Sequence, residues 1–301
     1  MMTMTVPASA PIHYRTARVD GLDIFYREAG PPQAPTVLLL HGFPTSSHMF
    51  RDLIPLLADR YHVIAPDYPG FGYSSTPSPR EFLYTFDHLA DVMEHFTDAI
   101  GLREYALYLQ DFGGPVGLRL AVRRPERVRA LVIQNANAYV EGLSQGLRDV
   151  VLRAYTDPSP DVIARLRTFF EAPVTRHQYL DGVPDPSLVS PDAWEHAQWG
   201  LDRPGNKEIQ LELHANYGSN VEHYDEWHRY FREHQPPTLV VWGRGDDVFL
   251  VPGAEAYRRD LKVIELHLLD AGHFALETNA AEIAGYMRSF LAAHGTTRAG
   301  R

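Results

Sequence analysis

The chain has 301 residues, 45% of them hydrophobic, and no cysteine. That length allows one large α/β domain that buries about three quarters of its unfolded surface. The lack of cysteine excludes a disulfide scaffold, thiol catalysis and thiolate metal sites. The balance of 28 basic against 38 acidic residues, a net of −10, argues against a nucleic-acid phosphate backbone as partner. Lys207 and Lys262 are the sole lysines, which leaves little room for Schiff-base chemistry. No apolar stretch reaches the roughly 18 residues of a membrane span. Met1–Pro11 has no basic start followed by an apolar run, so no signal peptide is expected and a cytoplasmic location is.

Tyr14–Arg18 and Leu22–Arg27 alternate like a hairpin around Asp20-Gly21. Thr36–Leu40 is a continuous apolar run, as in a strand covered on both faces. Ser47–Ala58 has helical spacing and Tyr61–Ala65 returns to strand. Asp67–Pro79, rich in Gly, Pro and Ser, is a loop. Helix at Thr85–Ile100, strand at Tyr105–Leu109, helix at Gly114–Val122 and strand at Val128–Ile133 follow. This alternation predicts an α/β fold with a mostly parallel, doubly wound sheet. From about Ala138 to His234 only helical periodicity remains, before strands at Thr238–Trp242 and Val263–Leu269 and a closing helix at Ala280–Leu291. The expected organisation is a core of residues 12–137 and 235–295, with residues 138–234 inserted as a helical cap, because so long a structureless stretch would be improbable.

In an open parallel sheet, sites lie past the C-terminal strand ends. After Tyr105–Leu109 come Gln110-Asp111-Phe112-Gly113-Gly114, a polar residue among small ones where a helix opens at once. This is the pattern of a nucleophile elbow with Asp111 at its apex, although an N-capping aspartate gives the same letters. After Thr36–Leu40 come His41-Gly42-Phe43-Pro44, either an ordinary turn or a place where the Phe43 N–H joins that of Phe112 as an oxyanion hole. A cis Phe43–Pro44 bond is expected there. The last two strands are followed by Gly243-Arg244-Gly245-Asp246-Asp247 and by Asp270-Ala271-Gly272-His273-Phe274. Asp111, Asp246 and His273 thus fall in the order nucleophile, acid, histidine, each past a core strand.

With these motifs, and with Ala65-Pro66-Asp67, Gly70-Phe71-Gly72 and Trp242-Gly243, the chain resembles α/β-hydrolases of the epoxide hydrolase and haloalkane dehalogenase group, from about Tyr14 to Leu291. The resemblance implies an α/β-hydrolase fold and an Asp111 carboxylate that displaces a leaving group from an sp³ carbon. It implies His273 as the base that lets water cleave the resulting ester, with Asp246 orienting the imidazole. No metal or cofactor is called for, and the partner is a small-molecule substrate.

Haloalkane dehalogenases usually carry tryptophan after the nucleophile and often a polar residue at the position of Phe43. This chain has Phe112 and Phe43 there, which favours an epoxide. Fluoroacetate-type dehalogenases share His-Gly-Phe-Pro but place arginine where Phe112 stands. Epoxide-opening relatives use cap tyrosines. Tyr217, in the helical stretch Glu208–Tyr217, resembles one; Tyr155 is the candidate for a second, with Tyr139 and Tyr179 behind it. Trp194 and Trp199 are the candidate halide donors. Each of these aromatic residues also fits plain packing.

Other matches lack context. Gly142-Leu143-Ser144-Gln145-Gly146 has the letters of a serine elbow but does not follow its strand directly. Asn135 and Asn137 lie where some relatives keep the acid, but an amide carries no charge. His214, His223, His228 and His234 lack the spacing of a helical zinc site, and Gly113-Gly114-Pro115-Val116-Gly117 is no phosphate loop. An epoxide hydrolase is the leading expectation, a haloalkane or haloacid dehalogenase the alternative, and a catalytically idle ligand-binding relative the third.

Overall fold

The computed structural model describes residues 10–294. Most of the signal-peptide reading and the final residue of the expected core, 295, therefore lie outside the described residues. The first hairpin joins β1 (His13–Val19) and β2 (Leu22–Ala29) through Asp20 and Gly21. Both turn residues have positive φ (50° and 82°), the geometry of a tight turn whose twist matches the strands.

Six further strands complete the sheet: β3 (Thr36–Leu40), β4 (His62–Pro66), β5 (Tyr105–Gln110), β6 (Val128–Gln134), β7 (Thr238–Gly243) and β8 (Ile264–Leu269). Their order is β1-β2-β4-β3-β5-β6-β7-β8. β2 runs antiparallel to β1 and β4, and β3 to β8 are parallel. This is the mostly parallel sheet that the alternation of strands and helices predicts, in the arrangement that the resemblance to α/β-hydrolases implies.

The apolar runs of the central strands reflect two separate packing layers. Leu38, Leu40, Leu107 and Leu109 face the layer holding Leu89, Val92, Met93 and Phe96 of the helix Phe86–Ala99. Their neighbours Val37, Leu39, Ala106 and Tyr108 face Leu53, Ile54 and Leu57, with Ile283, Met287 and Phe290 of the helix Leu276–His294. Strand side chains alternate between faces, so a strand covered on both must be apolar at every position.

One expected helix is divided. Ser47–Phe50 is a 3-10 turn capped by the Ser46 side chain, and a separate α-helix spans Leu53–Leu57. Pro55 explains the break: without an N–H it is tolerated only near a helix start, so the helix begins again just before it. The closing helix starts earlier than expected and carries a kink at Asn279.

Between β6 and β7 every regular element is helical, from Val140–Gly142 to Tyr224–His234. This segment, the insert of the expected organisation, connects β6 to its paired parallel neighbour β7. No helix among the described residues is long and apolar enough to cross a membrane.

Candidate active site

The elbow follows β5 directly. Asp111 has φ of 49°, and the helix Gly113–Arg123 opens two residues later. Its N–H donates to the Asn135 carbonyl at 3.2 Å, and its carbonyl accepts from the Gly114 N–H at 2.9 Å. Small neighbours are obligatory. A Cβ on Gly113 would lie 2.2 Å from the Leu40 carbonyl oxygen, and one on Gly42 would lie 2.5 Å from Asp111 Oδ1.

The Phe43 N–H donates to Asp111 Oδ1 at 2.7 Å, and the Phe112 N–H acts on the same carboxylate. The Phe43–Pro44 bond is cis, as expected. Burial pushes the Asp111 carboxyl up, while His273 and these two N–H groups oppose it.

His273 comes from the turn after β8, with Nε2 3.8 Å from Asp111 Oδ2 and Nδ1 2.8 Å from Asp246 Oδ2. Burial works against the charged imidazolium. The carboxylates of Asp246, Asp111 and Asp247 together outweigh it and push His273 up to about 9. Asp246 is held in turn by the N–H groups of Val248 and Phe249, at 2.8 and 3.1 Å from Oδ1. The Asn135 Nδ2 donates to Oδ2 at 2.7 Å.

The structure thus brings all five proposed core residues together at the ends of β3, β5, β7 and β8. It also brings in two amides whose roles the sequence left unread. Asn135, at a positive φ of 43° just past β6, orients the acid without carrying charge itself. Gln110, fully buried, places Nε2 3.0 Å from His273 Nε2, and its Oε1 has no partner. The amide nitrogen suits the neutral ring; turned half over, the amide would offer its oxygen to the charged one.

Above Asp111 lies a cavity of about 240 Å³ with mostly apolar walls, including Phe43, Phe112, Leu147, Val151, Phe169 and Phe249. The insert contributes Tyr217, buried and with no hydrogen-bond partner for its hydroxyl among the described residues. Burial, with Tyr224 and Asp111 nearby, raises this phenol well above its ordinary value, so it stays protonated.

The other insert candidates are corrected. Tyr155 is half-exposed, outside the cavity, and donates to Glu222 at 3.1 Å. Trp194 packs against the second core layer with the Arg176 guanidinium over its ring. Trp199 is 47% exposed and lies against Tyr73 with the two rings tilted by 43°. Neither indole lines the cavity. Tyr139 and Tyr179 are buried core residues away from it.

Ser144 does line the cavity, but its hydroxyl caps a short helix at the Leu147 N–H instead of meeting an imidazole. His223, His228 and His234 scatter over the insert, bonded to Glu226, bonded to the Ala138 carbonyl and stacked on Tyr230 respectively. His214 instead faces the cavity. Among the described residues, one group could hold a cation: His177, Asp181 and Asp247, with ligand atoms within 4.8 Å of one another, of which His177 and Asp247 line the cavity.

The family model for the alpha/beta hydrolase fold matches residues 35–280. The chain is an α/β-hydrolase. This α/β-hydrolase is 42% identical over 277 residues to an uncharacterized hydrolase of Saccharomyces cerevisiae, covering 91% of this chain and 94% of the yeast protein. It is 46% identical over 266 residues to haloalkane dehalogenase 2 of Mycobacterium tuberculosis, covering 83% and 85%. Among solved structures, haloalkane dehalogenase DbeA of Bradyrhizobium elkani superposes with a TM-score of 0.75 at 25% identity over 94% of this chain and all of that one. Epoxide hydrolase CorEH shares the fold, with a TM-score of 0.76 at 20% identity over 94% of this chain and 99% of that one. The protein is therefore a hydrolase with haloalkane dehalogenase relatives, and it shares its fold with an epoxide hydrolase.

Proposed function

We propose that this hydrolase opens epoxides to diols through an ester on Asp111. The carrying observation is the unpaired Tyr217 hydroxyl in the cavity over Asp111, with no indole N–H beside it. Residues 12–137 and 235–295 act as the catalytic body, and residues 138–234 as the cap that selects the substrate.

In the first step Asp111 Oδ2 bonds to a ring carbon. The carbon–oxygen bond breaks, its electron pair stays on oxygen, and that oxygen takes the Tyr217 proton, which solvent later replaces. In the second step His273 Nε2 removes a proton from water as the water oxygen bonds to the Asp111 carboxyl carbon. Negative charge then gathers on Oδ1, where the N–H groups of Phe43 and Phe112 already point. Collapse expels the second alcohol oxygen, which takes its proton from His273 and leaves the diol.

The names of the curated relatives support the alternative, halide displacement by the same Asp111. There the Tyr217 hydroxyl alone would receive the halide, because the side chains of Phe43 and Phe112 offer no donor. The decisive experiment uses His273→Gln, which leaves attack intact and removes the base. Incubated with styrene oxide, the variant should hold a mass adduct on the peptide bearing Asp111. An adduct with 1-bromobutane but none with the epoxide selects dehalogenation, and no adduct with either removes Asp111 as nucleophile.

A further inference from the structure

His214 carries a further assignment. It sits in the last turn of the insert helix Asn206–Asn216, with Nδ1 2.8 Å from the Gln210 carbonyl oxygen one turn back. A carbonyl only accepts, so Nδ1 bears the hydrogen. The ring is 5% exposed and lies against Phe43 at 4.4 Å, Phe112 at 5.2 Å and Phe170 at 5.2 Å. Burial among these apolar rings holds the imidazole neutral, down at about 4. Nε2 is therefore a lone pair with no hydrogen to give. It has no partner among the described residues, and the residue lines the cavity over Asp111. An acceptor that faces a cavity with mostly apolar walls is matched by a donor on the ligand.

Tyr217 follows three residues later, so the two side chains share a face of the helix, and both lie against the Phe112 ring. The wall above the nucleophile thus presents a hydroxyl that gives a proton beside a nitrogen that only takes one.

We propose that the substrate is an epoxide bearing a hydroxyl on the neighbouring carbon, a 2,3-epoxy alcohol, whose O–H donates to His214 Nε2 while its ring oxygen accepts from Tyr217. This rests on the epoxide reading above and narrows it. A carboxylate substrate is disfavoured at the same spot, because a lone pair repels an anion and the cavity lining includes no lysine or arginine. That argument sets aside the haloacid variant of the dehalogenase alternative.

The test compares 3-phenylglycidol with its methyl ether, which keeps the shape but lacks the O–H. Wild-type kcat/KM should favour the alcohol by about tenfold or more, since a site built to pair a substrate hydroxyl discriminates against its absence. His214→Phe should erase that preference, bringing the alcohol-to-ether ratio of kcat/KM to about one by slowing the alcohol more than the ether. Equal wild-type rates for the two overturn the proposal, and that comparison needs no variant to fold. An equal loss on both substrates in a folded His214→Phe protein, checked by thermal melt, also overturns it. If neither epoxide turns over, the epoxide reading itself fails. Bromide release from 2-bromoethanol against 1-bromoethane then decides the acceptor separately: a preference for the alcohol retains it, and no preference or no turnover overturns it.

Discussion

Gly42→Ala is a severe test of the site because the added atom can be placed. The new Cβ would lie 2.3 Å from Asp111 Cβ, 2.5 Å from Asp111 Oδ1 and 2.5 Å from Gln110 Oε1. Non-bonded carbons pack at about 3.5–4.0 Å, so Asp111 must retreat by about 1 Å. That retreat breaks the 2.7 Å bond from the Phe43 N–H and turns the carboxylate off its line to substrate. A displacement of that size costs about 100-fold in rate, and overpacking a filled site costs about 1–3 kcal/mol of stability. The assay pairs kcat/KM on the best epoxide with a urea-melt midpoint. The control is Gly285→Ala, an exposed helix position with open space around it, which should gain up to about 1 kcal/mol and lose no activity. Near wild-type turnover in Gly42→Ala would refute the argument that a carboxylate fixed at this bend does the chemistry.

Tyr217→Phe should slow epoxide opening by about 10- to 100-fold, the worth of a hydrogen bond to a developing alkoxide, and change bromide displacement much less; equal losses would assign the ring to packing. Asp111→Asn should lower His273 from about 9, because one of the negative charges holding the imidazolium disappears, and imidazole NMR titration reads this directly. The same sign operates in turnover. Esterification neutralises Asp111, His273 falls, and the ester-hydrolysis rate in a single turnover should rise with pH through a midpoint below about 9. Below the raised pKa of Asp111 the first step should fail instead, because the protonated carboxyl does not attack. Asn135→Ala removes the 2.7 Å donor to a buried carboxylate and should cost about 1–3 kcal/mol by urea melt, with a lower kcat and little change in KM.

The sheet and the elbow were legible because both are local. Asp111, Asp246 and His273 each follow a strand whose apolar run marks its end, and a parallel sheet brings all such ends to one edge. The insert offered no comparable rule. Helical periodicity says that Tyr155, Trp194 and Trp199 lie on helices, but their facing depends on how short helices pack, and all three turned away from the cavity. Spacing excludes a helical zinc site and leaves His214 as a solvated or packing histidine. Its role follows from the Gln210 carbonyl and from Phe43, Phe112 and Phe170, three rings from distant parts of the chain. Asn135 was set aside for lacking charge, yet it works by holding the residue that has it.

The insert leaves the sheet after β6 and re-enters it at β7, and these strands are hydrogen-bonded neighbours. Gln134, where it leaves, pairs with Val241, and Thr238, where it returns, pairs with Leu131, so the ladder fixes the two attachment points relative to one another whatever lies between them. Asp111, Asp246 and His273, the proposed nucleophile, acid and base, all stand outside that detour. A different run of helices could be spliced between the same two strands and would find these three residues already assembled, so exchanging the insert would swap Tyr217 and the cavity walls, and with them the leaving group served, while the carboxylate and imidazole below stay in place.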